Sequence, residues 1–211
     1  MRLLLAAAVL IAAGLGLHAA DVAHREAAVK RFVTSSGADL RPIERYDPAI
    51  AQACSPHPAG DEVDTLARAL ITVESLATPT AETWWKSALV RVLHWTGAPL
   101  PNLTYGPGRV RLSTARLVLA AADLTDANIA LRLLDYCQAK DIVARLVSNV
   151  LRAEGGTRAS HIDPASIGKV AVHYNGQSKA RTLEAAIAHE AYKRLVIELF
   201  QHYRFAKLSS R

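Results

Sequence analysis

Apolar residues recur at three- and four-residue intervals along most of the chain, and no segment sustains the alternation of a half-buried strand between turn signals. The pattern predicts a mainly α protein. Residues 21–36 mix charge with alanine and read as a helix. Residues 37–60 hold Gly37, Pro42, Pro48, Pro56, Pro58 and Gly60 and read as a punctuated connection. Asp61 opens a helix to about Ala77. Pro79-Thr80 starts another, over about 81–96, which Gly97, Pro99 and Pro101 end. A loop follows at 102–108, and Ser113 or Thr114 caps a helix to about Ala122. Residues 125–153 form one long helix or two, ended by Gly155-Gly156. Asp163-Pro164 begins a helix reaching about Tyr174, stopped by Asn175-Gly176, and the last helix covers about 179–206. Residues 207–211 form a short tail, and no internal repeat is present.

The N-terminus departs from this amphipathic rhythm. Met1-Arg2 supplies one positive charge, and Leu3 to Leu17 then reads LLLAAAVLIAAGLGL without a polar residue. A basic start before an apolar run of this kind is the pattern of a secretory signal. With Ala19 and Ala20 the run approaches the roughly 20 residues that span a bilayer, so an uncleaved anchor in the inner membrane through residues 3–20 is the alternative. Either way residues 21–211 are the working part and lie outside the cytoplasm, in the periplasm or envelope. The division that follows is 1–20 as signal or anchor, 21–60 as helical arm and Pro-rich connection, 61–206 as the main domain, and 207–211 as tail.

Composition narrows the class further. The chain has 211 residues, 51% of them hydrophobic and 21% charged, which is enough for one domain with a sizeable core and argues against disorder. Lys and Arg number 25 against 19 Asp and Glu, giving a net charge of +6. That balance suits an anionic partner, and no basic-aromatic interleaving or recognised motif points to nucleic acid. The cysteines, Cys54 and Cys137, suit either a disulfide in an exported protein or two buried thiols. The eight histidines are scattered, and His189-Glu190 lacks the second histidine four residues on that a metalloprotease needs, so no metal and no cofactor is expected. Trp84, Trp85 and Trp95 share one predicted helix and read first as core, with a sugar-stacking platform as the alternative.

Glu74 is the informative position. Val63, Ala67, Leu70 and Ile71 share a helix face, and Glu74 continues it at helical spacing. It sits near a helix C-terminus, where the macrodipole disfavours negative charge, and no Lys or Arg stands three or four residues away. A carboxyl so placed has its pKa raised, which is what a general acid near neutral pH requires. The plainer readings are a glutamate reaching solvent at a frayed helix end, or one paired with a distant arginine.

Five segments in order resemble the lysozyme-like domain of lytic transglycosylases. ALITVESLA at 69–77 is similar to the family's helix ending in Glu-Ser. TYGPGRVRLSTAR at 104–116 resembles its glycine-containing loop through Gly106 and Thr114-Ala115. LTDANIALRLL at 124–134 resembles its Asn-Ile stretch through Asn128-Ile129. VAVHYNG at 170–176 resembles its Ala-Tyr-Asn motif through Tyr174 and Asn175, and EAYKRLV at 190–196 resembles its closing helix with a tyrosine. The match covers roughly 61–205. Arg109 stands where the family has a substrate-contacting glutamine, and His173 stands where it has alanine. The helix TWWKSALVRVLHW is also longer than in many members.

The resemblance implies a fold and a chemistry. The fold is a mainly α, lysozyme-like transglycosylase domain behind an N-terminal export or anchor helix. The chemistry is cleavage of the bond between N-acetylmuramic acid and N-acetylglucosamine in peptidoglycan glycan strands, with Glu74 as single acid and base, leaving a 1,6-anhydro end. Ser75, Tyr105, Gly106, Arg109, Tyr174 and Asn175 are the implied substrate-binding positions. The replaced glutamine favours the alternative, an inactive lysozyme-like domain that binds wall glycan or scaffolds an envelope complex. A third reading is a small anchored helical protein whose motif matches are chance.

Overall fold

The protein, seen here as a computed structural model, is described over residues 2–34, 40–50, 52, 54–120, 123–154, 161–174 and 183–209. Helices dominate the described residues: α1 (Arg2–Thr34), α2 (Arg41–Glu44), α3 (Asp61–Ala77), α4 (Thr80–Thr96), α5 (Leu112–Leu119), α6 (Asp126–Leu134), α7 (Tyr136–Ala153), α8 (Pro164–Tyr174) and α9 (Leu183–Ser209). A 3-10 turn at Pro48–Ile50 lies in the connection before α3. α1 runs without a break through the expected boundary at residue 20. Among the described residues no helix is long and apolar enough to cross a membrane.

α3 is the centre of the molecule. It packs against α7 and α9, and α8 packs on α9 beside it. Val63, Leu66, Ala67, Ala69, Leu70, Ile71, Val73 and Leu76 are all buried, so its apolar surface wraps most of the helix rather than one stripe. Three acids, Asp61, Glu62 and Asp64, sit in its first turn, where the dipole favours negative charge. Its last carbonyls are capped from a distance. The Arg25 guanidinium of α1 donates to the carbonyls of Ser75 and Leu76, and Thr78 Oγ1 donates to the Glu74 carbonyl at 2.7 Å. A helix held at both ends this way fixes the turn that carries Glu74.

The Pro-rich connection is tied down by charge and by a covalent bond. Buried Asp47 accepts from Arg68 of α3 at 2.7 Å, and the same guanidinium lies 4.0 Å over the Tyr203 ring of α9. Cys54 is bonded to Cys137 at the start of α7, 83 residues away. Of the two arrangements open to the cysteines, the disulfide is the one adopted.

Four details differ from the pattern in the sequence. The loop expected at 102–108 instead opens a two-stranded hairpin, β1 (Thr104–Tyr105) paired antiparallel with β2 (Val110–Arg111) beyond it. Two residues per strand are too few for an alternating pattern to register. The α5 cap is Arg111 rather than Ser113 or Thr114, because the Ser113 amide donates to Asn102 Oδ1 at 3.0 Å. The helix also ends earlier than Ala122, at Leu119, with Ala120 in the left-handed region. Residues 125–153, open in the sequence between one helix and two, form two, since Asp135 leaves helical geometry to accept the Gln138 amide at 2.9 Å and so caps α7. The tryptophans correct the core expectation: Trp84, Trp85 and Trp95 are 74%, 43% and 87% exposed. α4 buries only Lys86 and Val90 among its residues, so its rings stand on the side away from the described core.

Candidate active site

The Glu74 side chain lies at the end of α3, 7% exposed, on the wall of a cleft of about 500 Å³. Thr104, Arg109, Val110 and Arg111 of the hairpin line it, with Thr114 of α5, Leu146 of α7, and His173 and Tyr174 of α8. The volume suits a ligand the size of a short saccharide or a drug-like molecule. Three cations, Arg109, Arg111 and His173 when protonated, face one carboxyl. Among the described lining residues Glu74 is the sole acid.

Tyr192 of α9 donates its hydroxyl to Glu74 Oε1 at 2.7 Å. The Arg109 Nε stands 4.0 Å from Oε2, too far for a hydrogen bond but close enough for attraction through a partly desolvated space. Burial pushes the Glu74 carboxyl above the ordinary value of 4.5, while the Tyr192 hydrogen bond and the Arg109 charge pull the other way. Burial and the nearby Glu74 hold the Tyr192 and Tyr174 hydroxyls well above their ordinary range, so both stay protonated. The arginine that the sequence places 35 residues away is therefore a neighbour of Glu74, but a loose one.

The hairpin sets where Arg109 sits. Gly106 has φ +70°, and a Cβ there would stand 1.7 Å from the Leu133 carbonyl oxygen, so the turn admits no side chain at that position. The Arg109 amide donates back to the Gly106 carbonyl at 3.0 Å, and Arg109 itself has φ +47°, uncommon for a residue with a side chain. From there the guanidinium reaches between Glu74 and Glu82 of α4, which is 3.9 Å away. Glu82 is held ionised chiefly by its hydrogen bond to Lys86, at 2.7 Å. Lys86 also donates to Thr104 Oγ1 at 3.3 Å, fastening α4 to the hairpin.

The residues expected at the substrate divide into two groups. Glu74, Arg109 and Tyr174 meet in the cleft. Ser75, Tyr105 and Gly106 do not line it and build its wall instead. Ser75 Oγ donates to the Pro107 carbonyl at 3.3 Å. Tyr105 is 1% exposed and donates its hydroxyl to the Pro101 carbonyl at 2.8 Å. Tyr174 also has a second duty, because its hydroxyl donates to the Gly108 carbonyl, which locks the turn rather than reaching Glu74. Asn175 lies outside the described residues. Tyr192 was visible in sequence only as the tyrosine of the closing helix, since its 118-residue separation from Glu74 gives no local signal. Among the described residues no group of three or more His, Cys, Asp or Glu is placed to hold a metal ion.

No family model matches the chain, and comparison with curated proteins and with solved structures gives no match.

Proposed function

We propose that this chain is a peptidoglycan lytic transglycosylase with a lysozyme-like domain, exported or anchored through its N-terminal apolar run, and that Glu74 is its general acid and base. The observation that carries the reading is a single buried carboxyl, raised in pKa, as the sole described acid in a polar cleft. Most glycosidases place two carboxylates across the scissile bond, and substrate-assisted enzymes are the exception. The order of the five sequence segments adds support, and so does the Cys54–Cys137 bond, since disulfides persist in oxidising compartments.

The arrangement suggests a division of labour. Tyr192 donates to Oε1, which leaves Oε2 to carry the proton. Oε2 delivers that proton to the glycosidic oxygen as the bond to the anomeric carbon breaks. The sugar's acetamido oxygen stabilises the resulting positive centre. The Glu74 carboxylate, now eased by Arg109 and Tyr192, takes the proton from the sugar's own hydroxyl as that oxygen attacks the anomeric carbon and closes the anhydro ring. The proton returns to Glu74, so the cycle balances without water. Arg109 and Arg111 face the cleft where carboxylates of the wall's stem peptides would lie.

The test is to incubate the purified chain with peptidoglycan and identify released sugars by mass. Anhydro-muropeptides are expected. Reducing-end products would mean hydrolysis. No release, with glycan binding retained, would leave the wall-binding alternative that Arg109 in place of glutamine favours.

A further inference from the structure

The three tryptophans of the chain all lie on α4 and all face solvent, with Val92 exposed beside them. Trp84 and Trp95 are eleven residues apart, about 16 Å along one side of the helix. By helical spacing that side is opposite Glu82, the residue that turns toward Arg109 and the hairpin. The aromatic face therefore looks away from the cleft and is not a wall of it. Bare rings on this scale mark a contact surface rather than ordinary solvent exposure.

Two further observations indicate what covers it. The face carries positive charge: Arg91 is exposed beside Trp84 and Trp95 by helical spacing, and the single acid of α4, Glu82, is on the other side. The face is also joined to the apolar N-terminal run. The Thr80 amide, in the first turn of α4, donates to Asp21 Oδ2 at 2.9 Å, and Arg25 Nη2 donates to Thr80 Oγ1 at 3.1 Å. Leu3 to Leu17 precede Asp21 in the same continuous helix, α1. In the uncleaved form, the bilayer that takes up that run is held beside the start of α4. Tryptophan prefers the boundary between headgroup and acyl chain, and arginine is drawn to anionic headgroups. A second copy of the chain fits less well, because a twofold pairing of this face would bring Arg91 toward its own counterpart.

We propose that the Trp84–Trp95 face of α4 docks on the surface of a bilayer containing anionic phospholipid, with its rings at the polar–apolar boundary. The contact does not depend on the glycan chemistry, so a failure of either claim is separable from the other.

The test uses the full chain and vesicles of phosphatidylethanolamine and phosphatidylglycerol whose acyl chains carry bromine. Because every tryptophan is on α4, the intrinsic emission reports this helix alone. A blue shift and quenching by the brominated lipid are expected. Arg91→Gln should weaken binding to the anionic vesicles about fivefold. The exposed pair Trp84→Ser with Trp95→Ser should keep its helical circular dichroism and lose the lipid dependence of the remaining emission. Chain that floats with the vesicles while its tryptophans stay unshifted and unquenched would overturn the proposal, because the N-terminal run alone would then account for binding. Failure to float would overturn it too. A blue shift that grows with protein concentration in the absence of lipid would assign the face to self-association instead.

Discussion

Glu74 is governed by a contest between burial, which keeps its proton, and two neighbours, Tyr192 and Arg109, which favour its loss. The role proposed for Glu74, giving up a proton and taking one back, needs both influences, because neither state can be strongly preferred. Removing one neighbour should tip the balance in a known direction. Arg109→Gln deletes a positive charge that lowers the Glu74 pKa, so the pKa rises further. Activity that requires the protonated acid is lost as pH climbs through that value. The alkaline limb of kcat/KM should therefore move to higher pH in Arg109→Gln, and a limb that stays in place or moves down would contradict the role given to Arg109. The position of Glu74 was legible in sequence because it continues an apolar face without a local cation. Its partners were not, since Tyr192 and Arg109 arrive through tertiary folding from α9 and the hairpin.

At the scale of elements, the hairpin is the piece that turns a helical core into a site. It hangs on backbone geometry at Gly106, where the approach of the Leu133 carbonyl leaves no room for a methyl group. Gly106→Ala should cost about 2–4 kcal/mol in urea denaturation, from the clash and the left-handed φ together. Gly97 makes the control: it also has positive φ, +71°, but a Cβ there meets nothing within 4 Å. Gly97→Ala should cost about 1 kcal/mol. Equal costs would show that conformation alone, and not the packing against α6, sets the turn. α3 and α4 were readable nearly to the residue, because Gly60, Pro79 and Gly97 punctuate them. The break between α6 and α7 was ambiguous, because Asp135 serves as well in a helix surface as at a cap. The facing of α4 departs from its sequence pattern for a different reason. Aromatic content signals burial on average, and it does not say whether the partner of a ring is this chain's own core.

For the whole molecule, the disulfide joins the Pro-rich connection to α7 across 83 residues and so restrains the unfolded chain strongly. Reduction should lower stability by about 2–5 kcal/mol, read as an earlier urea midpoint with the site otherwise intact. An unchanged midpoint would mean that the Asp47–Arg68 contact and the core hold the connection by themselves. A mainly α architecture was evident from periodicity, while the assembly of α3, α7, α8 and α9 around one carboxyl required distances that no linear pattern contains. The account stands most directly on the rate of glycan cleavage by the Glu74→Gln chain beside the native one. Glutamine preserves the shape and still accepts from Tyr192, but it carries no transferable proton. Release of anhydro-muropeptides should fall by roughly 10²–10⁴-fold with helical content and urea midpoint retained. Release by Glu74→Gln at the native rate would contradict the assignment of Glu74 as acid and base, and with it the reading of the cleft.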